Sequence, residues 1–207
     1  DNSSPPDSLW NYEAGVKWSF GQLDVSLSAY YFDWAGAQIE LSPTLQTIVV
    51  PIGDVKGKGL DAEFTWRTPL QGLTLQAAGN INETELENVI PEVAAALPWL
   101  SNGSQLPGTA EKTVSATASY IGDLGNGWDL KMNARYSYRS RQQSVFNGVY
   151  APWNGIGSAR IGIAKDDFEF SVFSNNIGNS DRPISRPGGQ NQVPYPRTIG
   201  ISVEKRF

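Results

Sequence analysis

The chain has 207 residues with no cysteine and no histidine, and a formal net charge of −5. Those absences exclude disulfides, thiolate or imidazole catalysis and the usual zinc sites, and the acidic balance leaves no basic footprint for nucleic acid. A mean hydropathy of −0.33 would describe an ordinary soluble domain, but a membrane barrel has the same average because half of each spanning strand faces water.

The opening segment, Asp1-Asn2-Ser3-Ser4-Pro5-Pro6, has neither the charged nor the apolar region of a leader and is expected to be a connection inside a longer chain. Alternation follows at once. From Asn11 to Phe20 the apolar phase is Tyr12, Ala14, Val16, Trp18 and Phe20 against Asn11, Glu13, Gly15, Lys17 and Ser19. From Leu23 to Tyr31 it is Leu23, Val25, Leu27, Ala29 and Tyr31. Leu60, Ala62, Phe64 and Trp66 oppose Asp61, Glu63, Thr65 and Arg67, and a weaker segment runs from Leu73 to Ile81.

Val114, Ala116, Ala118 and Tyr120 oppose Thr113, Ser115, Thr117 and Ser119, and the strongest segment comes next. There Trp128, Leu130, Met132, Ala134, Tyr136 and Tyr138 alternate with Asp129, Lys131, Asn133, Arg135, Ser137 and Arg139. Weaker segments run from Ile156 to Lys165, Phe168 to Asn175 and Thr198 to Phe207. Side chains of a strand alternate faces, so each segment has one face for lipid or a core and one for water. About nine strands of roughly ten residues are expected, the length that crosses a bilayer at a tilt of about 45°. The fold class read from this is all-β, an antiparallel meander and a transmembrane β-barrel.

The connections alternate in length. Short turns fall at 19–22, 68–72, 122–127 and 166–167, and each is followed by a long loop, at 42–53, 84–112, 140–152 and 176–196. Outer-membrane barrels have short periplasmic turns and long extracellular loops. That polarity collects Trp18, Phe20, Trp66, Tyr120, Trp128, Phe168 and Phe207 near the short-turn end as a membrane girdle. Within the longest loop, Glu92 to Leu97 between Pro91 and Pro98 is expected to hold a short helix, ordered only by packing over the mouth. Gly53, Gly57 and Gly59 have the wrong spacing for a phosphate cradle, and no helix follows them.

Five segments carry a family likeness: Ser8-Leu9-Trp10-Asn11-Tyr12-Glu13-Ala14-Gly15-Val16-Lys17, Gly53-Asp54-Val55-Lys56-Gly57-Lys58-Gly59-Leu60-Asp61-Ala62-Glu63, Leu106-Pro107-Gly108-Thr109, Asn175-Asn176-Ile177-Gly178-Asn179 and Pro196-Arg197-Thr198-Ile199-Gly200. In this order and spacing they resemble the C-terminal part of TonB-dependent outer-membrane receptors. Lys205 departs from the family habit of an aromatic there, although a lysine near the interface can snorkel. The resemblance implies that residues 1–207 are about the last nine strands of a larger barrel of about 22 strands. The N-terminal plug and the upstream strands would be absent from this stretch. It further implies a bacterial outer-membrane location and active transport of a scarce solute, foremost a ferric siderophore or other ferric chelate, energised by a TonB-type complex acting through the plug. Outer-membrane lipid, the rest of the same protein and the barrel assembly machinery, through the C-terminal strand, are the other implied partners. No catalytic residue, cofactor or metal site is expected.

Two groups of side chains are candidates for solute contact. Lys131, Arg135 and Arg139 form a basic lining on the polar face, and Arg182, Arg186, Arg197, Gln190 and Gln192 lie in or beside the last long loop. They either draw in an anionic solute or pair with Asp24, Asp61, Glu63, Glu169, Glu204 or the plug. Trp99, Tyr150, Trp153 and Tyr195 lie in or beside long loops, where they either stack on a sugar or aromatic ligand or anchor one loop to another. Alternatives to the transporter are a passive channel, an adhesive barrel and a soluble β-sandwich binding module. An enzyme would have only carboxylate chemistry.

Overall fold

The computed structural model describes residues 6–41, 48–185 and 191–206, so Arg186, Gln190 and Phe207 lie outside the described residues. In chain order the elements are β1 (Ser8–Phe20), β2 (Leu23–Leu41), β3 (Ile48–Arg67), β4 (Leu73–Glu87), α1 (Pro91–Ala96), β5 (Lys112–Gly125), β6 (Trp128–Arg139), β7 (Gln142–Gln143), β8 (Tyr150–Ala151), β9 (Asn154–Lys165), β10 (Phe168–Asn175) and β11 (Thr198–Lys205). Nine of the strands make one antiparallel sheet in chain order, while β7 and β8 pair separately as a small hairpin in a loop. The meander is therefore present, and the sheet is open, with β1 and β11 as its edges. No helix among the described residues is long and apolar enough to cross a membrane.

The short turns follow from local chemistry. Asn126 and Gly127 take φ of +55° and +77°, the doubly positive geometry of a type I′ hairpin that Asn-Gly tolerates best. Strand β5 continues to Gly125 across a bulge, so this connection is a two-residue turn rather than the whole of 122–127. The outer ends differ more. Strands β2 and β3 run to 19 and 20 residues, about twice what a bilayer crossing needs, so they project well past the membrane into what the sequence reads as loop.

Register carries the alternation across the whole sheet, because directly opposed residues share a face. Ser28, Asp61, Asn80, Thr113, Arg139 and Asn154 are successive partners on one face. Val16, Leu27, Ala62, Gly79, Val114 and Tyr138 are successive partners on the other. The second face keeps large apolar groups open, Val16 at 58% and Ile201 at 80% exposure. An uncovered apolar sheet face of this extent fits lipid, not a sandwich core. On β3 that face reads Trp66, Phe64, Ala62 and Leu60 and then changes to Lys58 and Lys56. These lysines pair with Glu83 at 3.0 Å and Glu87 at 2.6 Å, which marks the outer border of the hydrocarbon.

Above that border the opposite face turns apolar. Trp34, Val55 and Leu86 are direct cross-strand partners on the interior side. Val55 and Leu86 with Ala37, Ile39, Ile52 and Leu100 build a buried cluster, against which Trp34, Val93, Leu97, Trp99, Leu106 and Val145 pack. The long 88–111 connection, with α1 in it, thus folds inward over the end of the sheet. The helix is six residues with no side-chain cap, too short to persist alone, so burial of its Val93 side holds it.

Replacing Met132 by Arg on the apolar face should cost about 2–4 kcal/mol near the bilayer midplane, and replacing Asn133 by Arg no more than about 1 kcal/mol, its Ser119 hydrogen bond being the loss. Refolding titrations into lipid vesicles read both. Truncating Leu100 to Ala should cost about 2–5 kcal/mol of loop packing, seen as faster proteolysis within 88–111 with the strands still protected.

Candidate functional site

The polar face carries two hydrogen-bonded networks. On β2 to β4, the Asn80 amide donates to Asp61 at 2.8 Å and to the Tyr30 hydroxyl at 3.4 Å, and that hydroxyl donates to Asn82 at 3.3 Å. On β6 to β11, Lys131 pairs with Glu169 at 2.8 Å across the intervening β9, and Arg160 on β9 bridges Glu169 at 3.4 Å and Glu204. Of the basic lining, Lys131 is therefore neutralised, while Arg135 has no ion pair among the described residues.

Gly57 and Gly59 find their reason on the same face. A Cβ at Gly57 would lie 2.2 Å from the Phe32 ring and one at Gly59 2.3 Å from the Tyr30 ring. The two aromatic rings lie flat over the facing glycines of the next strand, and no larger residue fits there. Nearby, Asp54 accepts from the Gly36 N–H at 2.9 Å and the Asn88 amide at 2.8 Å. The Asn88 bond, followed by the Gly36 N–H, holds its carboxyl below the usual carboxylate range. Here Asp54 ties the irregular stretch of β2, between Trp34 and Gln38, to the end of β4.

Arg139 acts as a clasp and not as a free lining charge. Its guanidinium donates to the carbonyl oxygens of Ser140 at 2.9 Å, Pro152 at 3.3 Å and Pro183 at 3.4 Å, joining the two last long loops. Burial pushes its pKa below the ordinary guanidinium value, yet a guanidinium remains charged. Asn154 supports the same junction by donating to the Arg182 carbonyl at 2.6 Å. Asn176, buried, donates to the carbonyls of Ser180 and Tyr195 at 2.9 Å and accepts from the Ser180 N–H, while Asn179 accepts from the Arg197 N–H at 3.0 Å. The Asn-Asn-Ile-Gly-Asn segment is thus a loop organiser. Leu106-Pro107-Gly108-Thr109 is another, since the Gly108 N–H donates to the Gln143 carbonyl at 2.9 Å and so docks the β7–β8 hairpin.

The aromatic candidates separate into two groups. Trp99 donates to the Val145 carbonyl at 3.1 Å and packs on Gly148, which makes it a loop anchor. Trp153 stacks between Tyr138 at 6.2 Å and the Arg182 guanidinium at 3.9 Å, and the register of Tyr138 puts this stack on the apolar side of the rim. Tyr150 lies under the Arg141 guanidinium at 4.8 Å with its ring partly open. Tyr195 is 90% exposed, its backbone held by Asn176 while its ring is free for contact. Of the girdle residues, Trp18 and Phe20 touch at 6.0 Å, and these two with Trp66, Tyr120, Trp128 and Phe168 all lie on the apolar face. The sequence reading missed the Arg139 clasp and the Asp54, Asn154 and Asn176 ties. The quoted motifs held the signal for Asp54 and Asn176, and nothing local marked Arg139 or Asn154. Among the described residues no cluster of acidic side chains is placed to hold a metal ion.

A nine-strand open sheet with one lipid-facing side, one hydrogen-bonded polar side and loops clasped over one end defines part of a large membrane barrel. Residues 5–177 match the family described as TonB dependent receptor-like, beta-barrel, and the chain belongs to that family. Members of that family are proteins of the Gram-negative outer membrane. Among solved structures, the ferric yersiniabactin uptake receptor FyuA from Yersinia pestis superposes with a TM-score of 0.78 at 16% identity, over 97% of this chain and 30% of that one. The ferric preacinetobactin receptor BauA from Acinetobacter baumannii gives 0.74 at 17% identity, over 96% and 29%. The copper transporter OprC gives 0.72 at 14% identity, over 99% and 31%. The chain thus spans about three-tenths of the length of these structures. No curated protein sequence matches it significantly.

Replacing Arg139 by Gln should release both loops at once. Amide exchange at 140–153 and 177–185 should rise by about tenfold or more, the loss of charge-assisted bonds of about 1.5–3 kcal/mol, while β5 and β6 stay protected. Replacing Asp54 by Asn should loosen the tie at neutral pH, because the charge-assisted bonds weaken, and should abolish its pH response. Because the folded carboxyl has the lower pKa, its tie is fully present above the ordinary value of 3.8 and is lost as pH falls through the folded one. Exchange at Gly36 in the wild type should therefore rise below that range, beyond its intrinsic pH dependence, and should not do so in the variant.

Proposed function

We propose that this chain is the C-terminal part of the barrel of an active outer-membrane receptor, supplying wall and outer mouth for uptake of a ferric siderophore. The plug and remaining strands of the same protein complete it, and a TonB-type complex acting on the plug supplies the energy. The observation that carries the reading is the clasped mouth. Arg139 and Asn154 join the last two long loops and Asn176 closes the second on itself, all by bonds to backbone, leaving the Tyr195 ring presented to the outside. Iron-chelate receptors among the similar structures favour a ferric siderophore, and the copper transporter keeps a different metal chelate as the second reading. Open edges at β1 and β11 favour completion by further strands, since lipid cannot satisfy their backbone groups.

Uptake of radiolabelled ferric siderophores by iron-limited cells carrying the full-length protein tests this. Transport should saturate at low solute concentration and stop when the proton gradient is collapsed. Uptake that persists without the gradient and rises linearly with concentration would instead establish a passive channel. Replacing Tyr195 by Ala should weaken binding of the transported chelate by about 5- to 100-fold, the range for a base or ring stacking on one aromatic, with the amount of folded barrel unchanged.

A further inference from the structure

The apolar face also carries charge at its other end. At the short-turn end, Trp128 opposes Lys165, Lys165 opposes Phe168, and Phe168 opposes Lys205. Four neighbouring strands thus carry a single row on the lipid side that alternates ring, cation, ring, cation. Each ammonium lies against a ring, Lys165 at 5.5 Å from Trp128 and Lys205 at 5.2 Å from Phe168. Lys165 has no ion pair among the described residues, and the carboxylates nearest to it are placed elsewhere. Asp129, Glu169 and Glu204 belong to the polar face by register, and Asp166 and Asp167 form the turn beyond the row.

A second observation lies farther up the same strands. An open hollow of about 460 Å³ on the apolar face is lined by Ala118, Met132, Ala134, Ala159, Ile161, Val172 and others. It exists because Ala118, Ala134 and Ala159 are small and directly opposed between the bulkier residues around them. Along β9, Ala159 is six positions from Lys165, about 20 Å at the rise of a strand, which is close to the length of an extended acyl chain.

We infer that the Trp128–Lys165–Phe168–Lys205 row and this hollow together seat one anionic glycerophospholipid of the inner leaflet. The lysines take its phosphates and the hollow takes an acyl chain. One strand separates the lysines, two spacings or about 10 Å at the backbone, so both flexible ammoniums reach one headgroup. Ring faces hold the ammoniums at the interface, where they would otherwise disperse into water. The inference rests on the apolar face being membrane-facing, as proposed above. It adds a lipid class, a stoichiometry and a location.

Native mass spectrometry of the full-length protein in detergent, titrated with dipalmitoyl phosphatidylglycerol, tests it. One adduct should saturate first. Lys165→Gln and Lys205→Gln should each weaken it about fivefold, and together about 25-fold, at the usual worth of a basic residue at an anionic surface. Lys17→Gln, on the polar face, should leave it unchanged. Ala159→Phe fills the hollow and should weaken dipalmitoyl but not dihexanoyl phosphatidylglycerol, whereas lysines that merely snorkel would show no such chain-length dependence. Inorganic phosphate at equal concentration should not displace the lipid. Wild-type affinity in the double lysine variant, equal binding of phosphatidylcholine, or preference for lipid A would overturn the inference. Retained heat-modifiable migration in gels shows that each variant is folded. If Met132→Arg is also without cost, the membrane-facing assignment itself has failed. If it is costly while the lysine variants do nothing, only the lipid site has failed.

Discussion

Every feature of this chain depends on one constraint, that a backbone amide or carbonyl inside hydrocarbon must find its partner in another strand. Antiparallel pairing satisfies it, and register then has no freedom, because a slip of one residue would turn every lysine, aspartate and arginine of the polar face toward lipid. The long rows of cross-strand partners show this from β1 to β11, with Asp61 and Asn80 always on one side and Ala62 and Gly79 on the other. The same constraint bears on the open edges. Eight strand-to-strand interfaces are satisfied within the sheet, and among the described residues the outer backbone groups of β1 and β11 face no further strand.

Beyond the hydrocarbon the constraint lapses and a different physics takes over. Strands β2 and β3 continue into water, where nothing forbids an apolar interior face, so Ile52, Val55 and Leu86 become the floor of a small buried core with Trp34 packed against it. Side chains bonded to backbone hold the rest of the mouth together. Arg139 and Asn176 each satisfy two or more loop carbonyls, and this gives the loops a defined arrangement without regular structure. A mouth built this way presents few side chains outward. Tyr195 is the clearest, because its backbone is fixed and its ring is not.

The lumen-side charges illustrate how pairing and recognition compete for the same residues. Lys131, expected either to attract solute or to find a carboxylate, is held by Glu169, and Arg160 shares that carboxylate with Glu204. Such pairs keep the wet interior from carrying a strong field of one sign. Arg135, without an ion pair among the described residues, is one of the basic groups left unneutralised on that face.

The strands were legible because alternation is a local property: Trp128 to Arg139 announces its two faces without any partner. The turn at Asn126-Gly127 was legible for the same reason, as backbone conformation there is a matter of two residues. The reach of β2 and β3 beyond the membrane was not, since Asp33, Ile52 and Gly53 break the alternation and their strand conformation comes from each other's hydrogen bonds. Nor were the roles of Arg139, Trp99 and Trp153, which sequence alone left poised between ligand contact and loop packing. Those depend on which loops meet, residues 13 to 46 apart in the chain, and that encounter exists only after the sheet has set the loop ends side by side. Sequence by itself determined the strands, their faces and the end of the sheet at which the short turns gather. Tertiary structure decided which charged and aromatic residues remain free, because freedom is what is left when long-range partners have been assigned.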